Sequence, residues 1–135
     1  MKLYNIYQQL ILESSGTNQA INDAIDNKYM VNIMYSDSPD APPTKRYIQI
    51  YVYGVSKAGN DVIRAYQLGG ASKTGARKGW WKLFRLDRIQ SVTPTNMKWY
   101  KPVHMHGGSA KEYIPNDKEM ISIYNKVSFD DKYLK

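Results

Sequence analysis

The segment from Arg64 to Arg88 combines clustered cations with aromatic rings, and its residue types are the best suited in the sequence to binding an anion. It holds seven Lys and Arg residues and one acid, Asp87, so seven positive charges minus one give +6 of the formal net charge of +7. Cations neutralise phosphates, and aromatic rings stack on bases or nucleotides. We call residues 64–88 the basic segment. Its predicted anion-binding residues are Arg64, Tyr66, Lys73, Arg77, Lys78, Trp80, Lys82, Arg85 and Arg88.

A second interpretation of the basic segment is structural. Its cations could keep a glycine-rich loop soluble, with one of its tryptophans in the core. Arg85 could pair with Asp87 or Asp61, because a buried guanidinium without a partner is costly. Arg88, beside Asp87, is interpreted as structural. The sequence leaves both interpretations open and favours anion binding.

The sequence shows no pattern of residues that predicts catalysis, a metal site or a cofactor. The chain has no Cys, which excludes thiolate nucleophiles and sulfur-ligated zinc sites. His104 and His106 would face one side of a strand, a geometry that can hold a metal, but no third ligand accompanies them. The glycines fit neither a P-loop nor a dinucleotide fingerprint. We therefore expect a protein that is not an enzyme and uses no cofactor.

Two amphipathic helices are predicted ahead of the basic segment. Residues 2–13 place apolar side chains at helical spacing, namely Leu3, Ile6, Tyr7, Leu10 and Ile11. Thr17 then stands as an N-cap before a second stripe that ends near Asn27 and consists of Ala20, Ile21, Ala24 and Ile25.

Beyond Asn27 the hydrophobic period changes from 3.6 to 2, which predicts strands. The predicted strands cover residues 31–35, 48–52, 80–85 and 89–92, together with a hairpin over 51–68 that turns at residues 57–60 and one more strand within 120–129. Pro94 is expected to end the regular part. The predicted fold is mostly β with N-terminal helices, a small and strongly bent barrel of about five strands.

A length of 135 residues fits one domain. We expect an N-terminal helical extension over residues 1–16 and the barrel over 17–94. A C-terminal extension over 95–135 is expected to pack on the barrel or on a partner.

The stretch from about residue 20 to residue 94 resembles the WYL domain. The resemblance rests on three pieces, namely the helix-to-strand opening over 20–35, the return strand of the hairpin over 59–66, and the hexapeptide Phe84-Arg85-Leu86-Asp87-Arg88-Ile89, which is the most specific. It implies a small SH3-like or Sm-like β-barrel, known from bacterial transcriptional regulators and defence-system accessory proteins. The chain is also similar to short standalone WYL-like proteins of tailed phages, which implies a phage protein in the host cytoplasm.

These observations favour a non-enzymatic phage binding module whose basic, aromatic face holds nucleic acid or a nucleotide-like anion, which would suit a regulatory role. One alternative is a structural or assembly protein of the phage virion that contacts other virion proteins. Another is an inhibitor or sponge that acts on a host regulator or on defence signalling. The resemblance also implies a homodimer. No apolar stretch reaches membrane-spanning length, so no membrane partner is expected.

Overall fold

A computed structural model describes residues 16–70, 80–99 and 117–128. One helix, α1, covers residues 16–27 within this part of the chain. Six strands follow it, namely β1 (Tyr29–Tyr35), β2 (Thr44–Ser56), β3 (Asp61–Gly70), β4 (Trp80–Arg85), β5 (Ile89–Lys98) and β6 (Met120–Lys126). A short 3-10 helix, η1 (Leu86–Arg88), joins β4 to β5. No helix in the described ranges is long and apolar enough to cross a membrane.

The six strands form one antiparallel sheet in the order β4-β3-β2-β1-β5, and β6 also pairs with β2. The thirteen-residue strand β2 organises this sheet. One of its edges pairs with β3, while β1 pairs along residues 44–48 and β6 along residues 52–56 of β2. The long central strand therefore supports both the first strand of the sheet and the last.

The sheet is strongly curled. The rings of Tyr35 in β1 and Phe84 in β4 pack edge to face with their centroids 4.8 Å apart. Three strand spacings separate β1 from β4, which is about 14 Å in a flat sheet. Register shifts in the pairing of β2 with β3 and with β6 mark the irregular positions that allow such bending. Gly54 also permits a close approach, since a Cβ there would collide with the carbonyl oxygen of Ser122.

The core lies between the curled strands and α1. Buried side chains alternate along β1 from Val31 to Tyr35, whereas both faces of β2 are buried from Ile48 to Gly54. Helix α1 buries Ile21, Ala24 and Ile25 in the same core. The strand part of this core consists mainly of Val31, Ile33, Ile48, Ile50, Ile63 and Phe84. The period of 2 in the sequence thus marks the inward face of β1, but it does not distinguish the two faces in the middle of β2, because both are buried there.

The predicted mostly-β fold is confirmed, and the six described strands include the additional strand expected within residues 120–129. The second predicted helix corresponds to α1, and the first, over residues 2–13, lies outside the described residues. The hairpin turn at residues 57–60 is confirmed, because β2 ends at Ser56, β3 begins at Asp61, and Gly59 has a φ of 86°. Such a left-handed conformation favours glycine. The pairings between described residues do not close the sheet into a barrel.

The expectation that Pro94 ends the regular part was wrong. Strand β5 runs through Pro94, which pairs with Val31, and continues to Lys98. A proline lacks an N–H donor but is tolerated in an edge strand, and among the described strands β5 pairs with β1 alone. Trp99 follows directly, is 3% exposed, and packs its ring 4.7 Å from that of Tyr51.

Candidate anion-binding site

The described parts of the basic segment form strands β3 and β4, which are antiparallel neighbours, and η1. Three of the nine predicted binding residues, Lys73, Arg77 and Lys78, lie outside the described residues. The backbone of Trp80 pairs with Gln67 at the start of β4, and the structure does not describe its side chain. Five of the predicted residues can therefore be followed in full, namely Arg64, Tyr66, Lys82, Arg85 and Arg88.

The register of β3 and β4 decides which of these residues share a face of the sheet. Arg64 lies opposite Leu83, and Arg85 lies opposite Val62. Because opposite residues share a face and alternate residues of a strand do too, Arg64 and Arg85 lie on one face. Lys82 lies opposite Ala65 and is therefore on the other face. The structure thus brings two of the predicted cations together and separates a third from them.

The aromatic residues on the Arg64 face belong to the core. Tyr66 is 5% exposed, and its ring lies edge-on to Trp81 at a centroid distance of 5.2 Å. Trp81 in turn packs at 4.7 Å from Tyr51, which is fully buried. Burial raises the pKa of the Tyr66 hydroxyl above its usual value of 10.0. Tyr66 is therefore buried against Trp81 and does not offer a ring face to a base.

Arg64 is held by a carboxylate from a distant part of the chain. Its Nε donates to Asp117 Oδ2 at 2.6 Å, and its Nη2 donates to Asp117 Oδ1 at 3.4 Å. Burial tends to raise the pKa of Asp117, but the hydrogen bonds from Arg64 and from the Glu119 backbone N–H outweigh it. The net effect lowers the pKa of Asp117.

Arg85 is held by a neighbour in sequence, at the surface. Its guanidinium donates to both carboxylate oxygens of Asp87, at 3.1 and 2.6 Å. These hydrogen bonds are the main reason why the pKa of Asp87 falls below its ordinary value. The backbone N–H of Arg85 donates to the hydroxyl of Tyr35 at 3.1 Å. One of the two structural partners expected for Arg85, Asp87, is thus the one observed.

Arg88 and a residue outside the basic segment, Arg46, both bind Asp37. Arg88 Nη1 donates to the backbone carbonyl of Asp37 at 2.8 Å. Arg46 Nη2 donates to the Asp37 carboxylate at 3.0 Å, and Arg46 Nε donates to Thr44 Oγ1 at 3.1 Å. The Arg46 guanidinium also lies 5.5 Å from the ring centroid of Tyr35. Although it is an arginine, Arg46 is only 1% exposed.

Sequence reasoning missed Arg46, but a signal was present. Arg46 has the same parity as Ile48 and Ile50, two apolar residues of the predicted strand over 48–52. Extending the period of 2 by one step towards the N-terminus places Arg46 on the inward face. An inward arginine requires a partner, and Asp37 in the preceding loop is within reach.

Three arginines therefore contact the Tyr35–Asp37 stretch, Arg46 and Arg88 through their side chains and Arg85 through its backbone N–H, and we call these three residues the arginine corner. Its guanidinium groups are accompanied by two carboxylates, those of Asp37 and Asp87. Because Arg46 is buried, a phosphate can reach only the other two arginines of the corner. Arg85 can hydrogen-bond it in the bidentate way that arginine favours, provided that the anion replaces or shares the Asp87 carboxylate.

No group of three or more His, Asp or Glu side chains that could hold a metal ion occurs in the part of the chain that the structure describes. His104 and His106 lie outside that part.

Comparison with protein-family models, curated proteins and solved structures finds no match for this chain. The resemblance to the WYL domain therefore stays a prediction.

Proposed function

We propose that this protein is a non-enzymatic, WYL-like binding module that holds nucleic acid or a nucleotide-like anion. The binding surface consists of Arg85 and Arg88 of the arginine corner and of Arg64, which shares a face of the sheet with Arg85. The proposed setting is the cytoplasm of a phage-infected host, where such a module would act on regulation.

A small SH3-like or Sm-like barrel is the finer form of the fold that we propose. Strand β5 returns to pair with β1, and β4 curls over until Phe84 packs on Tyr35 of β1. The two strands that a barrel would bring together, β4 and β5, are already joined by the three residues of η1. This arrangement supports the proposal because a curled sheet whose end strands approach each other is the geometry of a small barrel.

The observation that carries the functional proposal is that Arg64 and Arg85 share one face of the sheet, with Arg88 following in η1. The exposure of the Arg85–Asp87 pair makes it exchangeable, since 36% of the arginine side chain and 61% of the aspartate side chain are accessible. Exposed ion pairs contribute little to stability, so a phosphate that gains two hydrogen bonds from the same guanidinium can compete with Asp87.

Salt-dependent binding tests the proposal. Affinity for a labelled DNA duplex, a single strand and a mononucleotide would be measured between about 50 and about 200 mM salt. We expect log K to fall with log salt by about 0.9 per neutralised duplex phosphate, or about 0.7 for a single strand. Arg85→Ala and Arg88→Ala should each weaken binding and reduce the slope.

The matched control is Lys126→Ala, which removes one exposed positive charge from β6 on the opposite edge of β2 from β3. Binding that is undetectable in all three cases, or that falls equally in the control and in the arginine variants, would contradict the proposal.

A second candidate is a structural or assembly protein of the virion. It is favoured by large apolar side chains that remain exposed on β6, where Ile121 is 66% and Tyr124 is 56% exposed. Such side chains are typical of surfaces that contact other proteins. Mass spectrometry of purified virions distinguishes the candidates, because a stoichiometric presence in the particle supports assembly.

Two further expectations stay predictions. The first is that the protein forms a homodimer, and the second is that it is an inhibitor or sponge that acts on a host regulator or on defence signalling. The first is tested by the molar mass in solution. The second is tested by whether a host protein or a small nucleotide co-purifies with the protein.

A further inference from the structure

Among the described cations of the proposed binding face, Arg64 has the most deeply buried carboxylate partner. Its side chain is 21% exposed and that of Asp117 is 10% exposed, whereas the corresponding values for Arg85 and Asp87 are 36% and 61%. The Asp117 carboxylate accepts hydrogen bonds from both Nε and Nη2 of the guanidinium. A phosphate can accept hydrogen bonds from these two N–H donors only if the Asp117 carboxylate moves away from them.

The same carboxylate organises the beginning of β6. Asp117 Oδ1 accepts a hydrogen bond from the Glu119 backbone N–H at 3.0 Å, and the Asp117 carbonyl accepts one from the Met120 N–H at 3.1 Å. The Glu119 carbonyl in turn accepts a hydrogen bond from the Lys57 N–H at 2.9 Å, which ties this turn to the end of β2. Arg64 and the first residues of β6 are therefore linked through one side chain.

A displaced Asp117 would leave its turn less well held. Strand β6 pairs with β2 alone among the described strands, and its pairing is irregular at two places. A short edge strand with such irregularities has few interactions that compensate for the loss of its first turn. Occupation of Arg64 by an anion and a well-ordered start of β6 are thus competing states.

We propose that Asp117 is a built-in competitor for the anion site, so that binding of a phosphate at Arg64 releases Asp117 and loosens the start of β6. The proposal rests on the function proposed above and assigns a regulatory contact to that site. Anion binding and the order of β6 then oppose each other, and by linkage each weakens the other by the same factor.

A double-mutant cycle with a short DNA duplex as probe tests this competition. Asp117→Asn keeps an acceptor oxygen for the Glu119 N–H but removes the negative charge that holds Arg64. We expect this variant to bind the duplex at least about threefold more tightly than the native protein does. In an Arg64→Ala background the same substitution should change affinity no more than the control does.

The control is Asp23→Asn, which changes the net charge equally at an exposed position of α1. The proposed competition would be wrong if Asp23→Asn raised the affinity for the duplex as much as Asp117→Asn does. It would also be wrong if Asp117→Asn raised the affinity equally in the Arg64→Ala background. If the native protein and the variants all fail to bind the duplex, the cycle is repeated with the single strand and the mononucleotide, and failure with all three probes would instead refute the proposed function.

Hydrogen exchange provides a readout that does not depend on the folding of a variant. In the native protein, saturating duplex should accelerate exchange of the Met120 and Glu119 amides, while amides of β1 keep their protection. Unchanged or slower exchange at Met120 in the bound protein would show that Asp117 stays in place, and the proposal would be wrong.

Discussion

Two ion pairs flank Tyr35, and they combine the same chemical groups with very different exposure. The Arg46–Asp37 pair has an arginine side chain that is 2% exposed, while the Arg85–Asp87 pair has one that is 36% exposed. In the first pair, loss of the carboxylate leaves a guanidinium in the core. In the second, water replaces the carboxylate. Burial, and not the residue types, therefore decides whether an ion pair supports the fold or whether its carboxylate can be replaced by a ligand.

The largest expected effect comes from breaking the buried pair. Asp37→Ala should lower the free energy of unfolding by about 2–3 kcal/mol, because Arg46 keeps its charge without its carboxylate. The value is below that for fully buried pairs, since the Asp37 side chain is 33% exposed. Urea unfolding at neutral pH measures the effect. Asp40→Ala, an exposed acid in the same loop, is the control, and equal losses in the two variants would contradict the assignment.

An intermediate loss of native stability is expected at acidic pH. Arg64 and the Glu119 N–H lower the pKa of Asp117 below its ordinary value of 3.8 despite its burial. A carboxyl whose pKa is lowered by folding stabilises the native state above its unfolded pKa. This stabilisation is lost as the pH falls through the folded pKa.

Native stability should therefore drop more steeply below about pH 4 than the stability of Asp117→Asn. Thermal unfolding followed by circular dichroism between neutral and acidic pH checks this. If the unfolding temperatures of the two proteins fell equally with pH, the Arg64–Asp117 pair would not contribute to native stability.

The smallest expected effect comes from breaking the exposed pair. Asp87→Asn should leave the midpoint of thermal unfolding within about 2 °C of the native value, since exposed pairs contribute little. The same variant should bind a DNA duplex more tightly, because the Arg85 guanidinium no longer has a competing carboxylate. A loss of stability comparable with that of Asp37→Ala would remove the distinction between the two pairs.

Much of the local structure could be predicted from the sequence. The alternation of Val31, Ile33 and Tyr35 predicts β1, and the turn residues at 57–60 predict the hairpin between β2 and β3. Both features depend on neighbours in the chain, so local propensity and hydrophobic period are sufficient to predict them. The extension of β5 beyond Pro94 could not be predicted in this way, because it depends on which edge of the strand is paired.

The candidate site was predictable in composition but not in arrangement. The sequence places Arg64, Tyr66, Lys82 and Arg85 in one cationic, aromatic segment. It does not show that Tyr66 is buried or that Lys82 lies on the other face from Arg64. A shift of one residue in the register between β3 and β4 would exchange these faces, and register is set by long-range pairing.

By itself, the sequence determined the strands, the hairpin turn, the helix over 16–27 and the concentration of positive charge in the basic segment. Only the tertiary structure decided which carboxylate each arginine meets, as Arg64 and Asp117 are 53 residues apart in the chain. The physical reason is that hydrophobic period and turn chemistry act between near neighbours. Ion pairs in a curled sheet depend instead on the register and bend of strands that the sequence brings together only on folding.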